Sequence, residues 1–339
     1  MDATLKSNRK AIIGYSYNEK NYRYLKWKKL MIHKRFEVIA LGSSRVLQFR
    51  ENMFETSFYN AGYTISGVAD FVPFLKTIPK EKHPKYLIIG LDQWMFNKNW
   101  DEIKTIKNAS FWKEAFRKNP DIKTIFKTWQ DLLASKYSLN MSNHKNKIQL
   151  IGLNACVNNL GFRNDGSMQY GIDIEKKIAN DTTANDYNFK DTFSRIEDER
   201  IQFKYGNSIN PKAISELEKL LTYCKNNQIH VVAFFPPFAD AVNKKMNDSK
   251  KFGYRDHLYQ RCNPLFKKYS FELYDYSSLK TINSNDSEVI DGFHGSEMTY
   301  AKMLLNILNS GSRLNKVSHP KMLTLAINNP INRYIIYKY

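Results

Sequence analysis

Apolar residues fall into short dense runs separated by stretches of helical periodicity. "FEVIAL" (36–41), "SFYNAG" (57–62) and "KYLIIGL" (85–91) are the first three runs. The third is continuously apolar, as in a strand covered by helices on both faces. Between them, the spacing predicts a short helix around 45–53 and another from about 66 to 78, with Ser66 suited to cap it. The resulting βαβαβ order favours a parallel sheet with right-handed crossovers.

Residues 92 to about 207 break this rhythm. Aromatic-rich helices are predicted near 109–137, followed by a polar, Asn-rich stretch and the glycine-punctuated "NNLGFRNDGSMQYG" (158–171). The whole segment reads as an insertion that caps the carboxyl edge of the sheet. Regular alternation returns with "NPKAISELEKLLTYCKNN", where Asn210 is an N-cap and Pro211 occupies the first helical position. Next come a strand at "IHVVAFFPP" (229–237), a helix near 254–268 and a strand at "FELYDYS" (271–277). The stretch "SEVIDGFHGSEMTYAKMLLNIL" (287–308) ends in an amphipathic helix capped by Ser296. No repeat of 20 to 50 residues is visible. The predicted division is an N-terminal arm or membrane-proximal stem over 1–35, an α/β domain over 36–320 with a cap at about 98–207, and a tail over 321–339 whose "INRYIIYKY" is an edge strand or a packed tail. A chain of 339 residues suits one large α/β domain with or without a sizeable insertion.

Composition narrows the class. Hydrophobic content of 42% with 14% aromatics is globular, and no uninterrupted apolar run approaches the roughly 20 residues that span a bilayer. The opening "MDATLKSN" lacks a signal-sequence pattern and fits equally a chain whose anchor has been removed. Cys156, Cys224 and Cys262 are odd in number and widely spaced, so neither a disulfide framework nor a zinc site is indicated, and no cofactor is expected. A net charge of +19 would attract nucleic acid, anionic headgroups or an acidic glycan or teichoic polymer. A Lys-, Asn- and Ile-rich proteome yields the same excess with no polyanion partner. The cluster "YLKWKKLMIHKR" (24–35) reads as a membrane-proximal stem or a solvated helix face.

The junction "VIALGSSRVLQF" (38–49) stops a strand at a glycine and offers two serines. It is either a plain turn or a turn presenting a hydroxyl. A nucleophilic serine needs exposure at a strand end, an imidazole in reach, a group orienting that imidazole, and oxyanion donors. Ser44 meets the first need, since parallel sheets gather their sites at strand carboxyl ends. Unlike Ser43, it also begins the next helix, where its N–H points outward and the helix dipole favours an oxyanion. Asp291 and His294 in "DGFH" precede the last helix, spaced so that the carboxylate bends back to Nδ1 and Nε2 faces the serine. A loop His beside an Asp also serves as a surface hydrogen bond. Gly62 directly follows the second strand, as an oxyanion donor or an ordinary turn; Asp92 and Gln93 follow the third, with a helix cap as the alternative for Asp92. Arg45 is a contact for an anionic substrate group or a solvent-facing first-turn arginine, and Arg163 and Asp165 in "GFRNDGS" line the cleft or form a structural turn.

Taken together, these blocks resemble the SGNH or GDSL hydrolase superfamily, over about 36–97 and again over about 229–308. Gly42-Ser43-Ser44 is similar to its first block, with serine in place of the usual aspartate before the nucleophile. Gly62 matches the second-block glycine, and Asp291 with His294 matches the Asp-x-x-His pair. Gly90-Leu91-Asp92-Gln93 falls where the family has Gly-x-Asn-Asp, so Asp92 replaces the donor asparagine; Gln93, Asn97 or a backbone N–H then supplies the third donor, or the hole has two. The resemblance implies a three-layer α/β/α, flavodoxin-like sandwich and a Ser44–His294–Asp291 triad. The wording "LGSSR", "FYNAG" and "GLDQWMFN" is closest to the membrane-associated bacterial branch that handles acyl groups on cell-surface polymers, similar to alginate-acetylation and D-alanyl-lipoteichoic acid transfer proteins. That branch implies an extracytoplasmic, membrane-associated acyltransferase or esterase, an acyl donor, a polysaccharide or anionic polymer acceptor, and a membrane-bound O-acyltransferase as partner. The triad itself does not separate transfer from hydrolysis. The rival is a non-catalytic glycan- or polyanion-binding protein on the same fold, using Lys, Tyr and Trp interleaved at 21–30 and 94–112. Neither a nucleic-acid motif nor an arginine-rich helix occurs, so no nucleic acid is expected.

Overall fold

A computed structural model describes residues 2–7, 9–14, 20–100, 122–134 and 148–339. Its main sheet uses β2 (Val38–Gly42), β3 (Phe58–Gly62), β4 (Tyr86–Gly90), β8 (His230–Phe235) and β9 (Glu272–Asp275) in the order β3-β2-β4-β8-β9. Every pairing is parallel. Relative to chain order this is a doubly wound arrangement that reverses at β2, so a crevice opens at the carboxyl ends beside that strand. The chain is thus an α/β protein with a mostly parallel central sheet, as expected.

Alternation explains the continuous apolar runs. Ile39, Leu41, Leu87, Ile89, Val231 and Ala233 enter one core with α2 (Phe71–Lys76), α6 (Pro211–Asn226) and α8 (Leu258–Tyr269). Their neighbours Val38, Ala40, Ile88, Val232 and Phe234 enter the opposite core beneath α9 (Glu297–Asn309) and α10 (Pro320–Asn328). Two of the three predicted caps form: Asn210 Oδ1 accepts from Lys212 N at 3.0 Å, and Ser296 and Thr299 cap α9 reciprocally. The helix expected over 66–78 is instead a three-ten turn, Val68–Asp70, followed by α2, and the Asp70 carboxylate rather than Ser66 accepts the N–H groups of Ser66 and Gly67. Two three-ten turns, Ser44–Val46 and Glu51–Met53, replace the predicted helix at 45–53. A further helix, α7 (Asp240–Ser249), follows β8 where none is predicted.

The described residues among the first 35 pack against the rest of the chain. β1 (Ala11–Ile13) pairs with β5 (Gln149–Ile151) and β6 (Leu160–Phe162), and β6 pairs with β7 (Met168–Tyr170), giving a second, mixed sheet ordered β5-β1-β6-β7. α1 (Lys20–Ile32) buries Tyr22, Leu25 and Leu30. Its Lys26 is also buried, with Nζ donating to Asn60 O at 2.8 Å and to Gly166 O, so this basic cluster is not simply a solvated face. The glycine-punctuated segment is the β6–β7 hairpin; its Asp165 carbonyl accepts from Asn60 N at 2.7 Å and covers the open edge of β3. The insertion also contributes α4 (Gly171–Ile178) and α5 (Lys190–Glu197). Of the helices predicted near 109–137, α3 (Ile122–Leu133) is described, and the remainder lies outside the described residues. The tail after α10 packs down: Tyr334 and Ile336 are buried, and the Tyr339 hydroxyl accepts from Ala11 N at 3.0 Å.

Three glycines end three adjacent strands for one reason. A β-carbon at Gly42, Gly62 or Gly90 would lie 2.9, 2.7 or 2.5 Å from a methyl of Val46, which is fully buried. They form a floor on which the turn carrying Ser44 rests. Asn60 Nδ2 fastens that turn, donating to Val46 O at 2.8 Å and Phe49 O at 2.9 Å. Gly90→Ala should therefore lower the unfolding free energy by about 1–3 kcal/mol in denaturant melts. Because Val46 is the only close obstacle at that position, Val46→Ala in the same chain should recover part of the loss; equal destabilisation of the single and double variants would contradict the floor.

Candidate active site

Ser44 opens the three-ten turn above this floor and is half-buried. The Oγ of Ser43 accepts from Arg45 N at 3.1 Å, so the neighbouring serine caps the turn and Ser44 keeps its hydroxyl free of that task. Ser44 Oγ lies 2.7 Å from His294 Nε2, and His294 Nδ1 lies 2.6 Å from Asp291 Oδ2. The other carboxylate oxygen, Oδ1, accepts from Phe293 N at 2.9 Å and His294 N at 2.8 Å. One side chain therefore folds the loop back and orients the ring. Burial pushes the Asp291 carboxyl up, but the His294 charge, its hydrogen bond and the two backbone donors hold the carboxyl below its ordinary value. An ionised Asp291 places the imidazole proton on Nδ1, leaving the Nε2 lone pair for the serine proton.

The loop is clamped from outside. Asp186, in the insertion, accepts from Gly292 N at 2.9 Å and Thr192 Oγ1 at 2.6 Å through Oδ2, and from Thr192 N at 3.0 Å through Oδ1. The Gly292 carbonyl accepts from Ala239 N at 3.0 Å, and a β-carbon on Gly292 would meet Thr192 Oγ1 at 2.5 Å. Neither Asp186 nor Thr192 carried a sequence signal, because their partner lies about a hundred residues downstream in an irregular loop. A further group missed by the sequence reading is Asp173 on α4, whose carboxyl is raised to about 6 by burial and by the nearby Asp291 charge. Burial also lowers the Lys177 ammonium of the same helix, with Asp291 opposing.

Arg45 requires correction. It neither faces solvent nor reaches toward a substrate, being 1% exposed. Its Nε donates to Phe293 O at 2.9 Å, Nη1 to Gln93 Oε1 at 3.0 Å, and Nη2 to Pro236 O at 2.9 Å and Pro237 O at 2.6 Å. Asp92 is its counter-ion at 3.5 Å. Burial lifts the Asp92 carboxyl above its ordinary value against the pull of Arg45. The residue after Ser44 thus grips the residue before His294.

Of the expected oxyanion donors, Gly62, Gln93 and the alternative Asn97 are engaged elsewhere. Gly62 N donates to Asn60 Oδ1 at 3.0 Å. Gln93 Nε2 donates to Pro236 O at 2.7 Å and Ser277 Oγ at 3.1 Å, and Asn97 Nδ2 to Lys204 O at 2.6 Å. Among the described residues the N–H of Ser44 has no acceptor, which leaves it available at the turn. This N–H acts from a three-residue turn rather than from the start of a long helix. Arg163 and Asp165 are not free for a substrate either: both are buried, with Arg163 Nη2 2.9 Å from Glu297 Oε1, Arg50 Nη1 2.7 Å from the same oxygen, and Asp165 Oδ2 3.6 Å from Arg50 Nε. This network joins the β6–β7 hairpin to the start of α9. Among the described residues no group of three His, Cys, Asp or Glu side chains is placed to hold a metal ion.

No protein-family model, no curated protein and no solved structure matches this chain. Arg45→Lys retains the charge but cannot bridge Phe293, Gln93 and the two proline carbonyls at once. It should slow modification of Ser44 by a fluorophosphonate about 10- to 100-fold with the circular dichroism spectrum preserved. An unchanged labelling rate would show that the guanidinium does not set the serine–imidazole geometry.

Proposed function

We propose that this protein is a serine-dependent acyltransferase or esterase of SGNH/GDSL type, acting through an acyl-enzyme. The observation that carries the proposal is the continuous chain Ser44 Oγ, His294, Asp291, with contacts of 2.7 and 2.6 Å at the carboxyl edge of the sheet. His294 Nε2 takes the Ser44 proton as Oγ bonds to an ester or thioester carbonyl carbon. The oxyanion forms against the Ser44 N–H, and the imidazolium, steadied by Asp291, returns the proton to the departing alcohol or thiol. In the second half, the same imidazole takes a proton from an acceptor hydroxyl or water, and that oxygen bonds to the acyl carbon while the Ser44 oxygen leaves and regains its proton.

The wording of "LGSSR", "FYNAG" and "GLDQWMFN" supports a cell-envelope role, in which an acyl group, most simply acetyl, passes to a bacterial cell-surface polysaccharide or related polymer beside a membrane-bound O-acyltransferase. The net charge of +19 suits an anionic acceptor. A fluorophosphonate should label the protein at Ser44, and hydrolysis of a p-nitrophenyl ester should fall by at least about 10³-fold in Ser44→Ala and in His294→Ala. Absence of label in the wild type, or full esterase activity in Ser44→Ala, would overturn the proposal; glycan binding without turnover would then identify a binding protein on the same fold.

A further inference from the structure

The helix α3 stands apart from the others in where its apolar side chains point. Ile122, Ile125, Phe126, Trp129 and Leu133 are 69, 47, 67, 60 and 82% exposed. Their positions form a single stripe along the helix. Scattered exposed apolar residues are ordinary, but five on one stripe, two of them aromatic, mark a surface that is covered in use. By contrast, Leu217, Leu220 and Leu221 of α6 and Met303, Leu304 and Ile307 of α9 are buried against the sheet.

The charge pattern indicates what covers it. In the helix sequence, "IKTIFKTWQDLL", the positions outside the apolar stripe include Lys123, Lys127 and Asp131, a net positive balance, and the chain as a whole carries +19. A helix with Trp, Phe, Ile and Leu along one face and lysine outside it, on a strongly cationic protein, has the make-up of an element lying in the plane of an anionic membrane. Cationic protein is drawn to such a surface by its negative potential. Among the described residues no helix is long and apolar enough to cross a membrane, so this contact rests on the bilayer and does not span it.

We propose that α3 is a peripheral membrane-docking element that inserts its Ile122–Ile125–Phe126–Trp129–Leu133 stripe into the headgroup region of an anionic bilayer. The proposal stands independently of the chemistry at Ser44. In co-sedimentation, the full chain should bind phosphatidylglycerol-containing vesicles far better than pure phosphatidylcholine vesicles, with binding weakened by salt. Phe126→Ser with Trp129→Ser should reduce that binding at least about tenfold, because two large apolar groups are lost from the contact. The double variant should keep its circular dichroism spectrum and its rate of Ser44 labelling, which separates a failure here from a failure of the acyl-transfer proposal. Equal binding to both vesicle types, or undiminished binding by the double variant, would overturn the membrane assignment. So would a wild type that ignores vesicles but self-associates through the stripe, which would assign the face to protein contact.

Discussion

The guanidinium of Arg45 is the constraint on which the site depends. Ser44 and His294 are separated by 250 positions, yet Arg45 is bonded to one through the main chain and touches the residue preceding the other at 2.9 Å. Removing a full charge from water costs several kcal/mol unless its donors are filled. Here the cost is offset by four oxygen acceptors from Phe293, Gln93, Pro236 and Pro237 and by the Asp92 carboxylate at 3.5 Å. A planar fork with several donors in fixed directions meets that demand, which a lysine would not. The position where the resembled family carries a donor amide is occupied in this chain by the acid that answers Arg45. A residue expected to face the substrate has thereby become part of the frame.

Other devices hold the remaining degrees of freedom. The glycine floor lets Val46 settle onto the ends of β2, β3 and β4, which sets the height of Ser44 above the sheet. Asp186 and Thr192 fix the Gly292 backbone, which sets the height of the imidazole loop. The Arg50–Glu297–Arg163 network joins the insertion to α9, and Glu297 also accepts from Ile336 N at 3.3 Å. With Tyr339 bonded to Ala11, the first strand, the insertion and the last residues close around one another. The insertion is therefore less a lid laid over a finished domain than a supporting wall of the site.

Much of this was legible in the chain. The dense apolar runs at 36–41, 57–62 and 85–91 match β2, β3 and β4 to within a residue or two, because strands buried on both faces have little freedom in composition. Asn210 and Ser296 cap the helices they were expected to cap, because a cap is a contact over two or three residues. Ser44, Asp291 and His294 also emerged from local logic: a strand end, a three-residue spacing and the convergence of parallel strands at one rim. Ser66 is not the cap because the helical turn starts one residue later, after Gly67, and its Oγ accepts from Arg23 instead.

The sequence by itself determined the α/β class, the strand positions and which three side chains are candidates to meet, since each follows from periodicity or turn chemistry within a few residues. The tertiary structure alone decided what the neighbouring polar groups do. Gly62, Gln93 and Asn97 have N–H groups that look free in a sequence and are bound in the fold; Arg163 and Asp165 look like cleft residues and lie in a buried ion network. The physical reason is that a polar group removed from water takes whichever partner packing brings within about 3 Å, and those partners come from segments whose approach no local pattern encodes.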